Sequence, residues 1–187
     1  MTAELPDLFR FENGERVKVP GDWMRRRQEL LGLVLDIEYG RLPPAAAGTE
    51  AQLLHQTRSS RLLNARHRQY RISAGPGGQC SFLLDLLIPD GAGPFPVALT
   101  GDACWHTMAD EIALALLGRR YIIAQFNRVE IVPDSGQPDR DRVSGLYRVC
   151  PGNYGAIAAW AWGYHRCVDF LLTMDEVAKA QIAAVGA

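Results

Sequence analysis

The chain has 187 residues, 48% hydrophobic and 22% charged, enough apolar material for one sizeable core and too much for a disordered chain. Twenty Lys and Arg against 21 Asp and Glu leave a formal charge of −1, so no overall field draws in nucleic acid or an anionic membrane, and neither is expected as a partner. The N-terminus has no basic n-region followed by an apolar h-region, and no apolar run approaches the roughly 18 residues of a membrane span, so a soluble, cytoplasmic protein is expected.

In chain order, residues 5–20 read as an extended arm with a turn at Asn13-Gly14. Asp22 is placed to cap a helix from Trp23 to about Glu38, because its carboxylate can accept from free first-turn amides, and Gly40 suits the stop. Trp23, Leu30, Leu31, Val34 and Leu35 give that helix an apolar face, and the run Arg25-Arg26-Arg27 reads as a solvated one. Pro43-Pro44 ends the segment and residues 45–49 read as a linker. Residues 1–50 thus form an N-terminal arm and helix ahead of a domain over 51–187.

That domain opens with strands. Gln52–Ser59 is a weak one, Arg66–Ser73 alternates, Gly75–Gly78 turns the chain, and Cys80–Ile88 returns as an apolar strand, an antiparallel start to a sheet. Phe95–Leu99 and Tyr121–Phe126 read as buried strands joined by a helix over Thr107–Leu117, which demands a parallel crossover. A long polar loop, Asn127–Asn153, precedes a helix over about Gly155–Leu172 and a last strand, Gln181–Gly186. The pattern is α/β: antiparallel strands first, then parallel strands with crossover helices. Trp160 and Trp162, two residues apart, cannot share a helix face. His55 and His165 have no partner spacing. The four cysteines, Cys80, Cys104, Cys150 and Cys167, lack C-x-x-C spacing and read as free, mostly buried thiols, and no metal or cofactor is implied.

Two loops carry the visible chemistry, both at the carboxyl ends of strands, where α/β sheets bind ligands. The first is Gly101-Asp102-Ala103-Cys104-Trp105. Glycine lets the backbone approach closely, Asp102 can orient the turn, and backbone amides there could hold an oxyanion. The second runs from Asn127 through Arg128, Glu130 and Asp134 to Asp139-Arg140-Asp141-Arg142, long enough to suggest a functional or capping loop. Asn127, Arg128, Glu130 and Asp134 are its pocket-wall candidates, and the alternating Asp and Arg read as a paired surface network. Cys104 and His106 could form a thiol nucleophile and base, but a spacing of two is no evidence of such geometry.

The small-residue helix and the apolar strand ending in Gly186 are how an α/β-hydrolase approaches its nucleophile elbow, G-x-S-x-G. Asp22-Trp23 with Arg26-Arg27 and Glu29, Glu38-Tyr39-Gly40 with Pro43-Pro44, Gly101-Asp102 with Cys104-Trp105, Asn127-Arg128 with Glu130 and Pro133-Asp134, and Ala158–Gly163 occur in that order. The chain resembles the bacterial glucuronoyl-esterase-like and acetylxylan-esterase-like α/β-hydrolases from about Leu5 to Gly186. The resemblance implies an incomplete α/β-hydrolase sheet and, in the complete form, hydrolysis of carbohydrate esters by a Ser nucleophile, a His base and an acidic partner. In that family the strand matching Gln181–Gly186 runs into Gly-His-Ser-Arg, with the Arg helping to hold the oxyanion. Here Gly186 matches and Ala187 departs, and no other serine of the chain sits in G-x-S-x-G.

The expectation is therefore a fragment carrying the oxyanion-side loop and part of the pocket wall but none of the catalytic triad, inactive alone. It would expose strand 181–186 to self-association, because the resemblance makes that strand internal in the complete sheet. A non-catalytic carbohydrate-binding module and an enzyme using Cys104 with His106 stay open as alternatives.

Overall fold

In the computed structural model, residues 7–104, 107–135 and 143–186 are described, and the chain divides into two compact units, up to Arg41 and from Leu42 onward.

In the first unit Asn13-Gly14 does turn the chain: Phe11 donates to the Glu15 carbonyl and Val17 to that of Phe9, both at 2.9 Å. Helix α1 spans Pro20–Val34, with a π-helical turn, Leu35–Tyr39, running to Gly40 at φ +74°. It starts three residues before the expected Trp23. Proline at the first helical position has its φ already set and needs no partner for a missing N–H. Asp22 then lies one turn in and reaches back, accepting from the amides of Lys18 at 3.0 Å and Val19 at 3.3 Å. The Lys18 contact is the main reason its carboxyl titrates below the ordinary value of 3.8. The solvated reading of the arginine run fails at its centre: Arg26 is buried, with Nη1 2.6 Å from Glu29 and Nη2 donating to the Asp7 carbonyl at 3.0 Å.

In the second unit six strands form one sheet in the order β1-β2-β3-β5-β4-β6. They are β1 Thr49–Ser59, β2 Ala65–Ala74, β3 Cys80–Ile88, β4 Phe95–Thr100, β5 Ile122–Phe126 and β6 Val177–Ala184, with helices α2 Asp110–Gly118, α3 Gly145–Val149 and α4 Ala156–Leu171 between them. Neighbours from β1 through β5 run antiparallel, whereas β5, β4 and β6 are parallel. This is the antiparallel start followed by crossovers that the alternation of apolar runs predicts.

The sheet is covered by α4 together with α3 on one side and by α2 on the other. Phe82, Leu84, Leu86 and Ile88 of β3, with Val97, Leu99, Ile122, Ala124 and Phe126, form a core completed by Ala158, Ala159, Trp162, Cys167 and Leu171 of α4. Each such Leu, Ile or Phe contributes about 1.5–3 kcal/mol by leaving water. On the opposite face Ile123 and Ala65 meet Ala113 and Leu117 of α2. The two tryptophans part as their spacing requires. Trp162 is buried with Nε1 donating to the Pro44 carbonyl at 3.0 Å, and Trp160 donates to that of Val132 at 3.1 Å.

Several boundaries differ from expectation. β1 begins at Thr49, whose hydroxyl donates to Asp169 of α4 at 3.3 Å, and this edge strand is exposed along most of its length, which is why its sequence pattern is faint. α2 begins at Asp110 rather than Thr107, the Met108 amide being held instead by Gln125 Oε1 at 2.8 Å. β6 starts four residues earlier than expected, pairing Val177 with Phe95. The long loop after β5 contains the turn of 3-10 helix Arg128–Glu130 and helix α3. Gly145 opens α3 at φ +52°, and a Cβ there would overlap the Ile131 carbonyl oxygen, to which the next amide, Leu146, donates at 2.8 Å. Only glycine fits that junction.

Candidate active site

β4 and β5 are adjacent and parallel, so the chain leaves both at the same end of the sheet and their following loops meet. Asp102 and Asn127 form an isolated antiparallel bridge. Arg128 donates its amide to the Gly101 carbonyl at 3.1 Å, and Ala103 donates to that of Phe126 at 3.3 Å. The two loops read separately in the sequence are thus one stitched unit.

An ion pair locks the same junction. The Arg128 guanidinium contacts the Asp102 carboxylate, the two side chains being 21% and 13% exposed. The guanidinium also lies 4.8 Å from the centre of the Trp160 ring. Trp160 is itself tied to Val132 in the second loop, so Arg128 joins the ends of β4 and β5 to α4. Because both groups are largely buried, removing either one leaves a poorly solvated charge behind.

The first loop spends its leading amides internally. Gly101 donates to the Tyr164 hydroxyl at 2.6 Å, Asp102 to Thr100 Oγ1 at 3.3 Å, and Ala103 to Phe126 as above. Thr107–Ala109 is held by Gln125, whose Oε1 accepts from the Met108 amide at 2.8 Å. Gln125, the polar residue within the buried strand β5, is a signal the sequence offered. Cys104 is partly exposed, whereas Trp105 and His106 lie outside the described residues, so the proposed thiol–imidazole pair has no geometry here.

The pocket-wall candidates take mixed roles. Asn127 caps the 3-10 turn, its Oδ1 accepting from Val129 at 3.1 Å, and Asp134 is exposed. Glu130 is solvent-exposed as a residue, yet its carboxylate is drawn against β3, accepting from the Leu83 amide at 3.0 Å. Burial pushes its pKa up, opposed by the Leu83 amide and assisted by the nearby Asp85 charge. The Asp139–Arg142 run lies outside the described residues.

β6 delivers Val185 and Gly186 beside this junction, with the Val185 amide donating to the Leu99 carbonyl at 2.8 Å. A cavity of about 300 Å³ lies there, lined by Ala98, Thr100, Asp102, Met108, Ile112 and Val185. A wider groove of about 520 Å³ separates α4 from β6, and both Tyr164 and His165 line it. The other described histidines, His55 and His67, stand apart on the sheet. His67 Nε2 is 2.6 Å from Asp85 Oδ1, and the His55 ring lies edge-on to His67 at 6.4 Å. Among the described residues no group of three or more His, Cys, Asp and Glu could hold a metal, and no helix is long and apolar enough to cross a membrane. Cys80 and Cys167 are buried and Cys104 and Cys150 partly so, all free. Burial pushes the Cys80 thiol up to about 11 and raises that of Cys167 well above the ordinary thiol value.

An antiparallel start, a parallel continuation and loops converging at the carboxyl ends of the central strands define a sheet of the α/β-hydrolase type. The family model described as "Glucuronyl esterase, fungi" matches residues 72–187, and the chain belongs to that family. It is 30% identical over 182 residues to a 4-O-methyl-glucuronoyl methylesterase of Podospora anserina, covering 95% of this chain and 33% of that protein. To the 4-O-methyl-glucuronoyl methylesterase of Phanerochaete carnosa it is 28% identical, covering 98% of this chain and 43% of the other. The chain therefore spans less than half the length of these relatives.

Solved structures agree in fold. A glucuronoyl esterase from Solibacter usitatus superposes with a TM-score of 0.78 at 20% identity, over 100% of this chain and 58% of that one. The glucuronoyl esterase catalytic domain from Hypocrea jecorina gives 0.69 at 24%, over 99% and 47%. A Sporotrichum thermophile glucuronoyl esterase in complex with methyl 4-O-methyl-beta-D-glucopyranuronate gives 0.65 at 24%, over 96% and 45%. The matching family model is described as fungal, where the resemblance read from the sequence pointed to bacterial proteins.

Proposed function

We propose that this chain forms the part of a glucuronoyl-ester hydrolase that precedes the nucleophile. It supplies the loop on the oxyanion side, Gly101 to Trp105, and a wall built on Asn127, Arg128, Glu130 and Asp134. The substrate class is an ester of a glucuronic acid unit on a xylan-type sugar, with acetylated sugars as the alternative. The observation that carries the reading is the family match across residues 72–187, which takes in both loops and β6 with the Val185-Gly186 that follows it. Serine catalysis needs a nucleophile, base and orienting acid, and none of the chain's serines stands in G-x-S-x-G. On this reading the 187 residues alone do not turn over ester.

Sequencing the encoding DNA past codon 187, followed by an assay of the resulting product on a methyl glucuronoyl ester, tests this. An in-frame Ser-Arg with a later His, and hydrolysis blocked by a serine-directed phosphonate, is expected. A stop followed by unrelated sequence, or phosphonate-sensitive hydrolysis by the 187 residues themselves, overturns the fragment reading.

We also propose that the isolated chain self-associates through β6. The strand pairs with β4 on one side, is the last in the sheet order, and is exposed at most positions. A bare strand edge is a template for another chain. Sharp monomeric elution with melting independent of concentration would count against it.

A further inference from the structure

We propose that Tyr164 is a positioning residue for the oxyanion-side loop, seating Gly101 from α4 and withholding its amide from the substrate; the catalytic relevance of this rests on the esterase reading above. The Gly101 N–H meets the Tyr164 hydroxyl oxygen at 2.6 Å, while the Gly101 carbonyl accepts from Arg128 at 3.1 Å. Both sides of the residue that begins the loop are therefore fixed, one by α4 and the other by the loop after β5. The phenol ring is fixed in turn, edge-on to Phe126 at a centroid distance of 4.9 Å.

No slack remains at the junction. A Cβ on residue 101 would meet Phe126 Cζ, Tyr164 Cε2 and the Tyr164 hydroxyl, each at 3.0 Å. Gly101 is buried, so without the hydroxyl its amide would face aromatic carbon and lose its acceptor, a cost large enough to turn the peptide. With Asp102 bound to Thr100 and Ala103 to Phe126, the first three amides of the loop are committed to its own shape. An oxyanion would then be held from beyond Ala103 or from another element, and Tyr164 acts on the reaction through Gly101 rather than by touching substrate.

Amide hydrogen exchange, followed residue by residue by NMR on the 187-residue chain and on Tyr164→Phe, tests this without any turnover. Loss of esterase activity or its absence therefore leaves the result readable. In the parent chain the Gly101 amide should be protected. In Tyr164→Phe, which keeps the ring on Phe126, exchange at Gly101 and at Arg128 should quicken about tenfold, the scale of one lost hydrogen bond. Ala124 in β5 and Ala159 in α4 should be unchanged. A Gly101 amide that exchanges in the parent like that of an open loop overturns the proposal, as does equal exchange in the two proteins. Faster exchange spread evenly over β5 and α4 also overturns it, because it would make Tyr164 an ordinary core residue.

Discussion

Replacing Arg128 by Met removes a guanidinium and keeps an unbranched apolar stem of similar reach. The structure sets the size of the loss. Asp102 is 13% exposed and Arg128 21%, so water can replace little of the pairing that disappears. A hydrogen bond to a charged group contributes about 1.5–3 kcal/mol, and the guanidinium over Trp160 at 4.8 Å about 0.5–1 kcal/mol. Allowing for the packing that the methionine restores, Arg128→Met should destabilise the chain by about 2–3 kcal/mol, or lower its urea midpoint by about 1 M at a slope near 2 kcal/mol/M. The decisive assay is a double-mutant cycle with Asp102→Asn. If the pair locks the two loops, the double variant should cost at least about 1 kcal/mol less than the sum of the singles. A coupling below about 0.5 kcal/mol would refute the view that this ion pair holds the site together.

Other expectations follow from the same geometry. Gly145→Ala should destabilise by about 3 kcal/mol or more, since it combines a positive φ with a clash against a backbone carbonyl; thermal unfolding measures it. Glu130 has a raised folded-state pKa, so its contribution to stability is fully present at acid pH and is lost as pH climbs above the ordinary glutamate value of 4.5 through the folded one. Glu130→Gln should flatten that fall in a pH series of urea midpoints. Asp22 works in the opposite sense: with a lowered pKa, its support for the start of α1 is present above pH 3.8 and fades as pH falls through the folded value. Acid fraying of residues 18–24, seen by NMR and absent in Asp22→Asn, would check it. At pH 8, iodoacetamide should label Cys104 and Cys150 and spare Cys80 and Cys167, whose burial both shields them and disfavours the thiolate; peptide mass spectrometry reads the pattern.

The parts of the fold legible in the sequence were those governed by local period and a single environment. Cys80–Ile88 was readable to the residue because its alternating side chains face one covered and one half-covered side. Ile122–Phe126 was readable within one residue because every position is buried. β1 was faint because an edge strand with exposed side chains imposes no pattern, and the true start of α1 was hidden because Pro20 and Asp22 are both helix-start signals and Asp22 acts from inside the first turn. At the site, the two loops were legible as strand exits, and their union was not. The Asp102–Arg128 pair spans 26 positions and the Gly101–Tyr164 contact 63, and no spacing rule connects residues that only the parallel pairing of β4 and β5 and the packing of α4 on the sheet bring together. Trp160 could be assigned away from the face of Trp162, but its partner Arg128 could not be read from the helix alone.

The order of pairing in the sheet also shapes how the chain must find its fold. β1, β2 and β3 are joined by short turns and can zip as neighbours as soon as they exist. β6 must instead return to β4 across about eighty residues, past α2, β5, the long loop and α4. Loop closure over that span costs entropy before any contact repays it, so this pairing belongs to the slow, late part of folding. The junction of Gly101, Tyr164 and Arg128 depends on the same late arrivals. A chain halted before that step would already hold its antiparallel meander while lacking the shape of its site, and would leave β4 open as a second, internal edge to any neighbour at high concentration.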